Sequence, residues 1–268
     1  MTTQKVEQRY GFDNTSAEGS HQLQHLAEVL DPHSIDVLST TGVEPGMHCL
    51  DIGPGAGTIT HWLADQVGTD GHVTAVDINP VLAGGPNIEV LKQDIRQATF
   101  EPESLDLIHA RLVLMHLPER QQVLAKLTSW LRPGGAIVLS EWDCTYMDLV
   151  RHSPTYTVQQ LHETFQTTMV DILTKRGMSA TWAVEAHTAM LHCALADVTT
   201  VSDSRFYHGG TGICLLHHSN SHQLEPELLA AGMTHGQLTQ WREALQDPRL
   251  ILSSYLMHTT IGRRAAAN

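Results

Sequence analysis

Short apolar segments alternate with amphipathic segments between residues 43 and 143, and this alternation constrains the fold more than any other feature of the chain. Five of these segments have the length and apolar content of buried strands, and two have helical periodicity. Strands that alternate with helices at this spacing pair in parallel. The pattern therefore predicts an α/β fold with a doubly wound, mostly parallel sheet. The predicted strands are MHCLDIG, HVTAVDIN, IEVLKQDI, LDLIHAR and AIVLSEW, the helices are TITHWLADQVG and QQVLAKLTSWL, and RPGG is a turn before the fifth strand.

Two short helices are predicted before the first strand. HQLQHLAEVLDP has apolar residues at helical spacing and ends at Asp31-Pro32, because proline rarely continues a helix. A second helix, around PHSIDVLSTTG, stops at Gly42. We interpret residues 1–42 as an N-terminal helical arm.

The regular alternation of strands and helices ends after Trp142. Two amphipathic helices follow, and the stripe Leu161, Phe165 and Met169 on the first of them is either core or a wall of a substrate pocket. VTTVSDSRFYH alternates like a sixth strand, EPELLAAGMTHGQLTQWREALQDP is helical, and SSYLMHTTIGRRA is a final, seventh strand. We predict a single domain over 1–268, divided into the arm (1–42), a cofactor-binding core (43–143), a helical cap insertion (144–195) and a C-terminal segment that completes the sheet (196–268).

Charge and cysteine content limit the class of protein. The formal net charge is −13, which disfavours a nucleic-acid partner. The four cysteines show no paired metal-ligand spacing, so we expect free thiols in a reducing, cytoplasmic compartment. The N-terminus has no signal-peptide pattern, and no stretch approaches the roughly 18 apolar residues of a membrane span. We expect no membrane association, and a homodimer is possible.

A glycine-rich turn follows the first predicted strand, where α/β folds bind their ligands. Gly53, Gly55 and Gly57 allow a close backbone approach, and a carboxylate, Asp77 or Asp94, closes each of the next two strands. A nicotinamide cofactor and S-adenosylmethionine are both conceivable here. The spacing is GxGxG rather than the dinucleotide pattern GxGxxG, and Asp51 precedes the turn. An acid at that place repels a pyrophosphate and suits a cationic amino group.

These segments together resemble the class I S-adenosylmethionine-dependent methyltransferases, strongly over residues 43–143 and more loosely to the C-terminus. The matching pieces are CLDIGPGAG, VDIN, QDI, LDLIHARLVLMHLPE and LRPGGAIVLSEWD, and the closing LMHTTIGRR resembles the antiparallel seventh strand of that Rossmann-like fold. The arm is similar to that of bacterial small-molecule methyltransferases, in which it folds over the cofactor. The resemblance implies S-adenosylmethionine as cofactor and assigns its binding residues. These are Asp51, Gly53, Gly55, Gly57, Ala110 and Arg111 near the methionine portion, Asp77 at the ribose with Ile78 beside it, Asp94 and Ile95 at the adenine, and Tyr10 as a lid.

Methyl transfer to many acceptors also requires a group that removes a proton. Three residues after the fourth strand or at the end of the fifth are candidates for this role: His116, Glu141 and Asp143. A structural role for His116, and an ion-pair role for Arg111, remain open alternatives. The sequence does not identify the acceptor atom.

The segment HGGTGICLLHHSNSH holds four of the chain's 18 histidines, His208, His217, His218 and His222. No acidic pattern accompanies them, so we predict solvent-facing loop histidines rather than a metal site. The leading functional prediction is a methyltransferase for a small molecule, in a bacterial biosynthetic pathway. The alternatives are a protein of the same fold that binds S-adenosylmethionine without transferring its methyl, such as a cyclase or binding module, and a nicotinamide-dependent oxidoreductase.

Overall fold

The computed structural model describes residues 12, 14 and 16–266. The helices are α1 (Ala17–Ser39), α2 (Thr58–Val67), α3 (Arg120–Trp130), α4 (Tyr156–Lys175), α5 (Trp182–His192), α6 (Gly212–Gln223), α7 (Glu225–Ala230) and α8 (His235–Ala244). The strands are β1 (His48–Ile52), β2 (His72–Asp77), β3 (Ile88–Lys92), β4 (Leu105–Arg111), β5 (Leu131–Asp143), β6 (Val150–His152), β7 (Leu195–Asp203), β8 (Phe206–His208), β9 (Ile251–Ser253) and β10 (Leu256–Arg264). None of these described helices combines the length and apolar content needed to cross a membrane.

Seven strands form the main sheet, in the order β3-β2-β1-β4-β5-β10-β7. Strands β1 to β5 pair in parallel, and β10 lies antiparallel between β5 and β7. The predicted doubly wound, mostly parallel seven-stranded sheet is therefore confirmed, including its antiparallel closing strand. A second sheet, β6-β9-β8, was not predicted from the sequence. It divides the predicted sixth strand, because the chain leaves the main sheet after Asp203 and continues as β8.

The prediction that Pro32 ends the first helix is wrong, because α1 runs through it. Proline at this position removes the hydrogen bond to the carbonyl four residues earlier. Burial on both sides of Pro32 offsets that loss. Val29 and Leu30 pack into the core that includes β4 and β5, whereas Val37 and Leu38 pack into a second core around α2. Both halves of the helix are thus held by tertiary contacts.

The prediction of a turn at RPGG is also wrong. Strand β5 already begins at Leu131, which pairs with Leu105, and the parallel register resumes at Leu107 and Ala136. The intervening residues bulge out of the ladder. Gly134 has a φ of +83°, in the left-handed region that favours glycine.

Most of the histidine-rich segment forms helix α6, so the prediction of loop histidines is wrong for His217, His218 and His222, and the prediction of solvent exposure is wrong for His217. His217 is buried, and its ring lies 5.6 Å from the ring of Phe165 and 5.9 Å from that of His162. The polar residues that follow His217 in sequence concealed an inward-facing position. Within the described part of the chain, no group of three or more metal-ligating side chains is present.

The helices divide between the sheet and a layer above its carboxyl edge. Helix α5 packs against β5, β7 and β10, whereas α4 packs against α7 and α8, and α6 packs against α1. The predicted boundaries at 144 and 195 stay a prediction. Helix α4 lies before that second boundary and packs against α7 and α8, which lie after it.

Candidate active site

The glycine-rich turn joins β1 to α2, and all three of its glycines have a positive φ: +66° at Gly53, +55° at Gly55 and +84° at Gly57. A Cβ atom on Gly53 would lie 2.4 Å from Cγ2 of Val113. A Cβ on Gly57 would lie 2.5 Å from Cδ1 of Leu82. Glycine is therefore required here both by backbone conformation and by close packing. The turn presents bare backbone at the N-terminus of α2, which fits a ligand that approaches the main chain.

Asp51 lies at the end of β1 and is 1% exposed. One carboxylate oxygen lies 2.8 Å from Nδ1 of His109 on β4, and the other accepts a hydrogen bond from the Thr60 hydroxyl at 2.5 Å. These bonds fasten the first turn of α2 to the centre of the sheet. The predicted role of Asp51 near the methionine portion stays a prediction. His109 is a member of this buried group that the sequence analysis missed, because its partner lies 58 residues away.

Asp77 ends β2 and is half-buried, with Ile78 directly after it. Burial raises the pKa of Asp77, and the nearby charge of Asp51 adds to this, against a hydrogen bond from the backbone N–H of Asn79 to Oδ1. That bond leaves the second carboxylate oxygen for a ligand hydroxyl. Ile78 is 51% exposed, which is unusual for a large apolar side chain and offers a surface for a ring. Both positions fit the nucleoside half of S-adenosylmethionine.

Asp94 and Ile95 lie just beyond β3. Partial burial opposes ionisation of Asp94, but hydrogen bonds from the Arg96 guanidinium hold its pKa below the usual value. The Ile95 side chain is buried in the core, so only its backbone is available to a ligand. The adenine assignment of both residues stays a prediction.

Ala110 and Arg111 end β4. Ala110 is fully buried, and Arg111 donates to Asp31 and to the Ser34 hydroxyl, each at 2.9 Å. The structure thus supports the ion-pair alternative for Arg111, which ties α1 to the sheet. The predicted lid, Tyr10, lies outside the described residues.

A cavity opens beyond the carboxyl ends of β4 and β5, under α1, α4 and α6. Its described lining carries no Asp, Glu, Lys or Arg side chain. Met169 of the predicted stripe lies on this wall, whereas Leu161 and Phe165 are core residues. The lining residues are Phe12, Gln22, Leu26, Leu112, Met115, His116, Trp142, Cys144, Met169, Val170, Leu173, Met178, Leu216, Asn220 and Tyr255.

His116 is the one of the three predicted catalytic residues that lines this cavity. It ends a short 3-10 turn, Leu114–His116, that follows β4. Burial lowers its pKa to about 4, and the charge of Arg120 contributes to the shift. At neutral pH the imidazole is uncharged and retains a basic nitrogen. Leu112, two residues before this turn, has a φ of +54°, and such backbone strain is concentrated at functional sites.

Glu141 and Asp143, the other two predicted catalytic residues, are not part of the described cavity lining. Glu141 is fully buried and accepts a hydrogen bond from the backbone N–H of Met115 at 3.2 Å. Burial raises its pKa to about 8, against the backbone hydrogen bonds that favour the carboxylate. Asp143 accepts from the backbone N–H and the hydroxyl of Thr145. Glu141 therefore supports the turn that carries His116, and Asp143 orders the chain after β5.

Comparison with known proteins identifies this architecture. The methyltransferase domain family matches residues 50–139. Over 148 residues the chain is 30% identical to an arsenite methyltransferase of Halobacterium salinarum, with 48% of this chain and 38% of the relative covered. The chain spans between 35% and 50% of the length of four curated relatives that it matches.

Solved structures share the fold over most of the chain. A phosphoethanolamine N-methyltransferase of Haemonchus contortus in complex with S-adenosylhomocysteine has a TM-score of 0.58 at 13% identity, covering 96% of this chain and 60% of that one. A [4+2]-cyclase has a TM-score of 0.50 at 13% identity, covering 88% and 82%. The sequence match falls on the segment that holds the glycine-rich turn and the ends of β2 to β4. Residues 50–139 thus carry a methyltransferase domain, and the fold around it is similar to that of solved methyltransferases.

Proposed function

We propose that the protein transfers a methyl group from S-adenosylmethionine to a small molecule bound in the cavity. The observation that carries the proposal is the position of the short segment after β4, which contacts the glycine-rich turn and also lines the cavity. Cγ2 of Val113 packs against Gly53 in the glycine-rich turn, and His116, three residues later, lines the cavity. A cofactor on the turn and an acceptor in the cavity would therefore be neighbours.

Residues of the carboxyl edge would hold the cofactor, which supplies an activated methyl group when it is bound. We assign the main-chain cradle to the turn from Gly53 to Gly57, a ribose hydroxyl contact to Asp77, and an apolar face to Ile78. Exposure of Ile78 and the single engaged oxygen of Asp77 support these assignments. Asp94 has a smaller role, because Arg96 already engages its carboxylate.

The contribution of the chain itself is alignment, exclusion of water and proton removal. The cavity wall is mostly apolar, so an acceptor there loses its contact with bulk water. His116 is uncharged at neutral pH and is the candidate base for an acceptor hydroxyl. Glu141 acts as a positioning residue, because its hydrogen bond to Met115 fixes the turn on which His116 lies.

A role in bacterial natural-product biosynthesis and a cytoplasmic location are parts of this proposal. The four cysteines are free thiols, which supports a reducing compartment. The net charge of −13 supports a small acceptor rather than a nucleic acid. A homodimer stays a prediction.

A second candidate function is a cyclisation or rearrangement without methyl transfer. The fold similarity to a [4+2]-cyclase favours keeping it, since that protein shares the architecture over 88% of this chain. Both functions use an apolar cavity beside the cofactor site, so the products distinguish them.

The test has two steps. Calorimetric titration with S-adenosylmethionine and, separately, with NAD⁺ should show binding of the first alone, and the reverse result would reject the proposed cofactor. Incubation with methyl-labelled S-adenosylmethionine and a panel of uncharged phenols and aromatic ketones should then give labelled product and S-adenosylhomocysteine. A rearranged product of unchanged mass, with no S-adenosylhomocysteine, would replace methyl transfer by the cyclase function.

A further inference from the structure

Residues that line the cavity carry buried hydrogen-bond donors that have no strong acceptor among the described residues. The side-chain oxygen of Asn220 accepts a hydrogen bond from Gln22 at 2.6 Å, but among the described residues its nitrogen has only the sulfur of Met169, at 3.8 Å. Thioether sulfur is a weak acceptor. Asn220 is 5% exposed and lines the cavity, so this N–H₂ group is removed from bulk water without a strong partner.

Two aromatic residues add donors of the same kind. The indole nitrogen of Trp142 has no hydrogen-bond partner among the described residues, and Trp142 is 9% exposed. The hydroxyl of Tyr255 has the Gln166 amide near it but no partner within normal hydrogen-bond geometry. The two rings lie 5.1 Å apart, and both line the cavity. Buried polar groups without a partner are rare and costly, so each one requires an explanation.

The absence of charge from the described lining limits what can occupy the cavity. A charged ligand buried there would find no counter-charge among the described lining residues, which is strongly unfavourable. His116 does not supply one, because its pKa of about 4 leaves it neutral at physiological pH. A purely hydrocarbon ligand would leave the donors of Asn220, Trp142 and Tyr255 unsatisfied.

We propose that the acceptor is an uncharged, largely apolar molecule with carbonyl or hydroxyl oxygens, which accept hydrogen bonds from Asn220, Trp142 and Tyr255. This inference rests on the proposed function and names the substrate class of the same cavity. It separates this chain from enzymes for charged acceptors. In particular, the cavity does not suit phosphoethanolamine, which a structural neighbour takes as its substrate according to its name.

The test compares ligands that differ only in an oxygen. The protein is first loaded with S-adenosylhomocysteine and then titrated by calorimetry with 1-tetralone, with its hydrocarbon analogue tetralin, and with phosphoethanolamine. An apolar cavity without donors favours the hydrocarbon, because the ketone gives up hydrogen bonds to water on binding. With the donors present, tetralone should bind at least as tightly as tetralin, and phosphoethanolamine should not bind.

Variants identify the donors. Trp142→Phe and Tyr255→Phe each remove one donor and keep the ring, so each should weaken tetralone binding about 5-fold and leave tetralin within about 2-fold. Trp241→Phe is the matched control, because the Trp241 indole is also buried and unpartnered among the described residues but does not line the cavity. It should change neither affinity. Melting curves of the three variants show whether each remains folded, and Tyr255→Phe decides the matter if Trp142→Phe does not fold.

The outcomes separate this inference from the proposed function. Tighter binding of tetralin than of tetralone, no binding of either, or equal effects of Trp142→Phe and Trp241→Phe would overturn the substrate class while the cofactor result stands. Failure of S-adenosylhomocysteine to bind would overturn the proposed function instead. The ketone comparison can then still be made on the protein without it.

Discussion

The carboxyl edge of the sheet has two regions of opposite character. At the ends of β1 to β3 the chain exposes glycine backbone, the carboxylates Asp77 and Asp94, and the apolar side chain of Ile78. At the ends of β4 and β5 the described surface is a cavity without Asp, Glu, Lys or Arg side chains, with donors from Trp142 and Tyr255. The first region suits a polar nucleoside and the second a neutral, apolar molecule. The segment around Val113 is the boundary between them.

The two regions also differ in how they are built. The cofactor edge comes from short, contiguous pieces of sequence, each at the end of one strand. The cavity is built from residues of α1, α4 and α6 and the ends of three strands, and its parts come together only in the folded chain. A single substitution should therefore affect one region and leave the other unchanged, and the predictions below test that independence.

The largest expected effect is that of Gly53→Ala at the boundary. The new Cβ meets the rigid, β-branched side chain of Val113 and must adopt a φ of +66°. Strain and overpacking together should lower the free energy of unfolding by about 2–5 kcal/mol. Gly46→Ala is the matched control, because Gly46 has a φ of +88° and nothing within 4 Å, so only the strain of about 1–2 kcal/mol applies. Urea denaturation measures both, and equal losses would show that contact with Val113 is unimportant.

The second-largest expected effect is on the pH dependence of the free energy of unfolding, through two buried histidines behind the cavity. Burial lowers the pKa of His217 to about 4 and that of His162 to about 3, so both are neutral in the folded protein. The unfolded chain binds more protons below pH 6.5, and stability is therefore lost as the pH falls. His217→Phe should reduce the loss between about pH 7 and pH 4 by about 3 kcal/mol. His61→Phe, at an exposed position of α2, is the control for the loss of one imidazole, and urea denaturation over this pH range measures both variants. A wild-type slope in the His217 variant would contradict the neutral, buried state.

Glu141 has the opposite effect on the pH dependence of stability, because it reduces stability as the pH rises. Its pKa of about 8 in the folded protein is above its ordinary value of 4.5, so the folded state holds the proton more tightly. Its contribution to stability is therefore full below about pH 4.5 and is lost as the pH rises towards 8. The buried histidines thus reduce stability as the pH falls below about 6.5, whereas Glu141 reduces it as the pH rises above about 4.5. Both slopes come from groups behind the cavity rather than from the cofactor edge.

The fold could be predicted from the sequence because its main signal is local. Each strand of the parallel sheet is a short apolar run, and Gly53, Gly55 and Gly57 mark the first crossover. The errors arose where long-range packing overrides local preference. Pro32 lies inside a helix because Val29 and Val37 are buried on either side of it. His217 faces inward although the residues that follow it in the sequence are polar.

The candidate site could be predicted where its residues lie at strand ends, but not where they depend on side-chain contacts. Asp77 and Asp94 lie at strand ends, as the sequence predicts, and the order of the strands brings them to one edge. The contact of Asp51 with His109, and the engagement of Asp94 by Arg96, depend on side-chain placement that no pattern encodes. Asn220 and Tyr255 join one cavity from distant parts of the chain. No local pattern in the sequence connects these two residues.

Asp77→Asn tests the cofactor edge by itself. The substitution keeps the shape of the side chain but removes the charge that would accept a ribose hydroxyl. Affinity for S-adenosylmethionine should fall about 10- to 100-fold, the usual range for a hydrogen bond to a charged group. Binding of 1-tetralone in the cavity should not change. Asp65→Asn, on the exposed face of α2, is the control, and calorimetry measures all three proteins. An unchanged affinity in the Asp77 variant would remove this residue from the site.

Asp94→Asn should have the smallest effect on affinity for S-adenosylmethionine. It tests whether Asp77 and Asp94 contribute unequally to cofactor binding. The guanidinium of Arg96 contacts both carboxylate oxygens at 2.7–3.1 Å, and its nitrogens compete with any ligand for them. A ligand hydrogen bond at this position therefore replaces an existing interaction instead of adding one, and affinity should fall by only about 3-fold. Calorimetry on Asp77→Asn and Asp94→Asn under one set of conditions gives the ratio of the two effects. A loss at Asp94 as large as that at Asp77 would mean that Arg96 releases the carboxylate when the cofactor binds, so that this ion pair is part of the binding step.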